Sequence, residues 1–215
     1  MPSRSVGLPR TSSVYATWGP VGRVPHETLS SHLKVPERAT INTADMSNTT
    51  TTDIQPTLTE TGAGDHLHFL NHLATVKSAH DRTVSGMNAI EFTAPRGFGP
   101  PLHLHHEEDE IMYLVDGTMR LVVDGEEREA TAGAVVALPA GVAHTFQVTS
   151  AEATFLTVAG GRRDAATFDV FVAALGQPTA TAALPDPIEI DPGHVAAIAA
   201  AHGIEILGPP PAPLD

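Results

Sequence analysis

The sequence predicts an all-β sandwich or barrel followed by one or two C-terminal helices, on three observations. Short apolar runs recur between Gly, Pro, Asp and Asn from about Leu67 to Val158, the spacing of consecutive strands joined by turns. Two boundaries are Asp-Gly pairs, Asp116-Gly117 and Asp124-Gly125, which supply the positive φ that tight hairpins need. After Gly161 the apolar spacing lengthens to three and four residues, the mark of a helix. Nothing repeats at the period of a solenoid or propeller.

Taken in order, strands are expected over residues 83–93, 102–105, 110–116, 118–123, 134–138, 144–149 and 153–158. A helix over residues 164–175 places Phe168, Phe171, Val172 and Leu175 on one face, and Gly176 with Pro178 ends it. A second helix has Asp191 as N-cap, Pro192 in its first turn, Val195, Ile198 and Ala199 as a face, and Gly203 at its C-terminal end. Residues 1–62 are rich in Ser, Thr and Pro without sustained period, so they cannot bury enough apolar area to offset their ordering entropy. The expected organisation is therefore a disordered or extended region over 1–62, a barrel over 63–161, and helices with a tail over 162–215. Met46, where the composition shifts, is a candidate alternative start.

Composition removes several functions. Twelve Lys and Arg against 25 Asp and Glu give a net charge of −13, which repels nucleic acid and anionic membranes. There is no cysteine, so disulfides, thiolate zinc sites, iron–sulfur clusters and a Cys nucleophile are excluded, and any metal must be held by nitrogen and oxygen. No stretch approaches the roughly 20 apolar residues of a membrane span, and the expected location is the cytoplasm.

Twelve histidines make a metal a concrete question. His103 and His105 are two apart on an expected strand, so they share a face. Glu110 opens the next strand and can return beside them, and His144 opens a later one. Three neutral imidazoles and a carboxylate suit one divalent first-row metal, Fe, Mn, Ni, Co or Cu, with positions left for water, O2 or substrate. A carboxylate in such a set can also take a proton from a substrate hydroxyl, which a ligated histidine cannot. The same strand parity nominates Met112, Leu114, Phe146 and Val148 as pocket wall, with Phe98 and Phe92 at an apolar mouth. Such a pocket fits a flat aromatic better than a sugar.

The blocks at residues 97–117 (GFGPPLHLHHEEDEIMYLVDG) and 133–148 (GAVVALPAGVAHTFQV) resemble the two conserved motifs of the cupin superfamily. That resemblance implies a double-stranded β-helix, a jelly-roll barrel enclosing a metal, with His103, His105, Glu110 and His144 at the ligand positions. Val148 stands where the family often has Asn. The Pro100-Pro101 lead-in, the helix after Gly160-Gly161 and the ending HVAAIAAAHGIEILGPP resemble small bacterial monocupins described as quercetin 2,3-dioxygenase-like. In that group the flavonol binds through its 3-hydroxyl, the ligand glutamate, here Glu110, accepts the proton, and O2 opens the heterocycle with loss of carbon monoxide. The resemblance also implies a homodimer. Two other readings stand beside a dioxygenase: a non-redox isomerase or polyketide cyclase, and a small-molecule-binding cupin without turnover.

The remaining histidines and acids read as structural. His106 should face away from its neighbour His105, residues 107–109 form a solvated turn, His66 and His68 precede any expected strand, and His72 lacks a nearby carboxylate at ligand spacing.

Overall fold

Alternation along the strands decides which residues meet. In β5 (Asp109–Asp116) Glu110, Met112 and Leu114 are buried while Ile111, Tyr113 and Val115 face out. β3 (Asn88–Pro95) and β10 (Glu152–Gly160) alternate likewise, burying Ile90, Phe92 and Ala94 from one and Phe155, Thr157 and Ala159 from the other. Through the pairs β3–β10 and β10–β5 these inward positions form one wall, apolar except at Glu110 and Thr157. Each large side chain buried there contributes about 1.5–3 kcal/mol.

The computed structural model describes residues 54–161 and 167–214. The expectations for residues 1–53, including the start at Met46, and for the first turn of the helix after Gly161 lie outside the described residues. Two antiparallel sheets face each other across the core. The larger runs β11 (Gln177–Pro178), β1 (Asp65–Phe69), β2 (His72–Ser78), β3, β10, β5, β8 (Val135–Leu138). The smaller runs β12 (Ile204–Ile206), β4 (His103–His105), β9 (His144–Val148), β6 (Thr118–Val123), β7 (Glu126–Thr131). This is the expected all-β double-stranded β-helix, with helices α1 (Phe168–Leu175) and α2 (Pro192–Ala201) following it. No helix of the described residues is long and apolar enough to cross a membrane.

Both Asp-Gly turns lie where expected. Gly117 joins β5 to β6 at φ 90°, and a Cβ there would stand 2.6 Å from Glu152 O and 2.8 Å from Ala153 Cα, so glycine is demanded twice over. Asp124 and Gly125, at φ 50° and 77°, form the two-residue turn between β6 and β7. Asp191 caps α2 by accepting from the amides of Gly193 and His194.

The structure adds strands that the apolar runs did not mark. β7, EEREAT, is exposed except for Ala130 and carries no alternation to read. The hairpin of β1 and β2 turns through Leu70 and Asn71, at φ 47° and 68°, without glycine. The strand expected to start at residue 83 begins at Asn88, because a short 3-10 turn at His80–Arg82 and a bend precede it.

Candidate metal centre

Two strands, β4 and β9, deliver the histidines. His103 and His144 are direct cross-strand partners in β4 and β9, and His105, two residues on, returns to the same face. Their ring centroids are 4.3 Å (His103–His144), 5.4 Å (His103–His105) and 5.6 Å (His105–His144) apart. One ring nitrogen from each lies within 4.8 Å of the others. Glu110, from β5 in the opposite sheet, completes the group, with Oε2 3.7 Å from Nε2 of both His105 and His144.

Backbone carbonyls set two tautomers. His103 Nδ1–H donates to Pro101 O at 2.8 Å and His144 Nδ1–H donates to Val142 O at 2.9 Å. A carbonyl can only accept, so Nε2 of each ring keeps its lone pair for the cluster, the arrangement metal-bound histidines use. His105 has no hydrogen bond to either buried nitrogen, and an unsatisfied buried polar atom costs about 1–3 kcal/mol. A divalent ion accepting Nε2 of all three rings would remove that cost for His105 Nε2, so the donor set fits a first-row metal. Its identity is open to any that takes nitrogen and oxygen.

Charge in the cluster is shared. Burial is the largest influence on His103 and, with the neighbouring imidazoles His144 and His105, takes its pKa down to about 3. Burial likewise lowers His105. Burial would raise Glu110, but the approach of His144 and His105 outweighs it and holds the carboxyl below its ordinary range. For His144 burial is outweighed by Glu110, which raises its pKa.

Glycine and proline in the two sequence blocks have jobs here. Gly141, at φ 79°, donates its amide to His105 O at 2.7 Å, tying the turn before β9 to β4. Thr145 Oγ1 donates to Pro100 O at 2.7 Å, fixing the lead-in to β4.

Beside the cluster opens a cavity. All seven phenylalanines of the chain line it. Of the residues nominated from sequence, Met112, Phe146, Phe98 and Phe92 are on this lining. Leu114 and Val148 are not: they are buried in the core, 2 % and 0 % exposed, and outside the cavity wall. Parity gave their face, but the cavity does not extend that far along the strands.

Three residues escaped the sequence reading. Thr157, inward on β10, donates from Oγ1 to Glu110 Oε1 at 3.5 Å. His72 is buried in the cavity wall, a position invisible without the β1–β2 hairpin. Glu108, expected in a solvated turn, is instead 4 % exposed. Its neighbours fit the expectation better: Glu107 is exposed, and exposed Asp109 accepts from Ala140 N at 2.9 Å. His106 faces out, its Nε2 3.2 Å from Glu205 Oε2 at the surface.

Burial, followed by the nearby Asp169 and Glu110 carboxylates, pushes Glu108 up to about 7, although Phe168 N–H donates to it. A folded pKa above the ordinary 4.5 means the native state holds the proton more tightly, so stability falls as pH rises from about 4.5 to 7. Glu108→Gln should therefore raise stability at pH 8 by about 1–3 kcal/mol and flatten that slope. Urea unfolding at pH 5 and pH 8 checks it; equal stability of the two proteins at both pH values would contradict it.

A scan against family models matches residues 90–160 to the cupin domain. Among curated proteins, quercetin 2,3-dioxygenase of Bacillus subtilis (strain 168) is 28% identical over 95 residues, 44% of this chain and 28% of that protein. The chain thus spans about 28% of the length of that relative. Among solved structures, a RmlC-like cupin from Shewanella frigidimarina is 16% identical at TM-score 0.43, covering 52% of this chain and 96% of that one. The polyketide cyclase RemF from Streptomyces resistomycificus is 22% identical at TM-score 0.41, covering 49% and 79%. The two-sheet barrel and the histidine cluster within it lie over and around the segment, residues 90–160, that is similar to the cupin domain.

Proposed function

We propose that this chain is a metal-dependent dioxygenase acting on a flat hydroxylated aromatic, of which a flavonol is the leading example. The observation that carries the reading is the pairing of a cavity lined by seven phenylalanines with a three-histidine cluster and a carboxylate beside it. The match to part of a quercetin 2,3-dioxygenase supports it.

A bound first-row metal would supply Lewis acidity toward a substrate oxygen and a contact for O2. His103, His105 and His144 would hold that ion, with Glu110 as a fourth ligand. The phenylalanines receive the aromatic rings, orient them by edge and face contacts and exclude water. Glu110, kept ionised by its histidine neighbours, takes the proton of the substrate hydroxyl, and Thr157 holds its other oxygen. A second copy of the chain is the partner proposed for the outer face of β5 and the edge strand β8. There Ile111, Tyr113, Val115 and Val135 are exposed together, and Tyr113 pairs with Val135. Sedimentation that finds only monomer at micromolar concentration would contradict that pairing.

Anaerobic reconstitution with Fe, Mn, Co, Ni and Cu in turn, followed by oxygen-electrode traces with quercetin, tests the reaction. Metal-dependent O2 uptake with release of carbon monoxide is the result expected. Conversion of an aromatic substrate without O2 consumption would overturn the dioxygenase reading in favour of an isomerase or cyclase. Bound metal without any turnover across an aromatic panel would overturn it in favour of a binding protein.

A further inference from the structure

Apart from Glu110 and the histidine cluster, the cavity lining holds two side chains able to hydrogen-bond, Thr157 and His72. Thr157 is committed to Glu110. His72 is not. Its Nδ1–H donates to Leu70 O at 3.3 Å, which leaves Nε2 as a bare acceptor, and that nitrogen has no protein partner among the described residues. The ring packs against Phe98, Phe69 and Phe92, with centroids 4.1, 5.1 and 5.2 Å away. No charged group stands among those neighbours. Burial holds its pKa down to about 3, so the ring stays neutral.

The hairpin that presents His72 is strained at the cavity. Leu70 occupies φ 47°, a region costly for a leucine and free for a glycine, yet its side chain is part of the lining. Asn71 fixes the turn through paired 2.9 Å hydrogen bonds with the backbone of Ile188. An imidazole acceptor is thus held rigidly in an otherwise apolar wall, where a phenylalanine would satisfy packing alone.

We infer that His72 is a second polar anchor of the cavity, accepting a hydrogen bond from a hydroxyl of the bound aromatic. The inference rests on reading the cavity as an aromatic-substrate site, and it narrows that substrate. The ligand carries a free hydroxyl for His72 in addition to the oxygen presented to the histidine cluster, and compounds methylated at that hydroxyl are rejected.

The test compares a hydroxyarene with its parent, 2-naphthol with naphthalene, bound to the full chain by calorimetry with and without prior metal removal. The wild type should prefer 2-naphthol. In His72→Phe that preference should fall by about two- to tenfold, the range of one neutral hydrogen bond, while naphthalene affinity stays within roughly twofold on the same scale. His72→Gln, which keeps an acceptor oxygen, should recover part of the preference. His72→Leu carries the same comparison should the phenylalanine variant fail to fold. An unchanged preference, equal losses for both arenes, or no binding of either to the wild type would overturn the anchor. Quercetin turnover is read separately. A lost preference without wild-type turnover keeps the anchor and removes the dioxygenase; turnover with an unchanged preference does the reverse.

Discussion

Replacing Glu110 with Gln is expected to lower dioxygenase turnover by about 10²–10⁴, the usual contribution of a general base. The substitution keeps size and one carbonyl oxygen, so Thr157 can still donate to the side chain. It removes the negative charge that faces Nε2 of His105 and His144 at 3.7 Å. An amide has no appreciable basicity, so a substrate hydroxyl would retain its proton. The three histidines remain as ligands and the amide keeps an oxygen donor, so the variant should still load with metal. Steady-state O2 uptake at fixed metal occupancy measures the effect. A wild-type rate in the fully loaded variant would remove Glu110 from the proton transfer.

The second large effect is on the metal itself. His144→Ala should weaken metal binding by at least two orders of magnitude, because even an outer-shell loss costs about 10- to 100-fold. His144 is the ring that both sheets depend on at this point. It pairs with His103 across β4 and β9, and its Nε2 stands 3.7 Å from Glu110 Oε2. Alanine leaves Nε2 of His103 and His105 with Glu110, an incomplete set. The barrel should survive, since the void lies beside an existing cavity and β9 keeps Phe146 and Val148 in the core. Competition titrations against a chelator read the affinity, with thermal melting as the control for folding. Unchanged affinity would place the ion elsewhere.

The legible part of this molecule was the part with a strong local period. Strands such as β6 and the inner faces of β3 and β5 announce themselves by alternation, and α2 by a capping aspartate and a proline. The ligand candidates were legible because two histidines two apart on a strand share a face wherever that strand goes. What could not be read depended on long-range placement. Glu108 follows two exposed residues in an acidic run, yet it is buried and accepts a hydrogen bond from Phe168 N–H at the start of α1. His72 lies on a strand whose turn uses Leu-Asn rather than a glycine pair, so no local signal marked the hairpin. Leu114 and Val148 were given the correct face, yet the depth of a cavity along a strand is set by side chains from the other sheet.

The central claim is a single metal held by His103, His105 and His144. Titration of the metal-free full chain with Co(II), followed by its visible absorption, tests it most directly. Saturation is expected at one equivalent per chain, with loss of that signal when His103 and His144 are replaced together by alanine in a protein that still melts cooperatively. Absence of saturable binding, or the same spectrum and stoichiometry in the double variant, would contradict it.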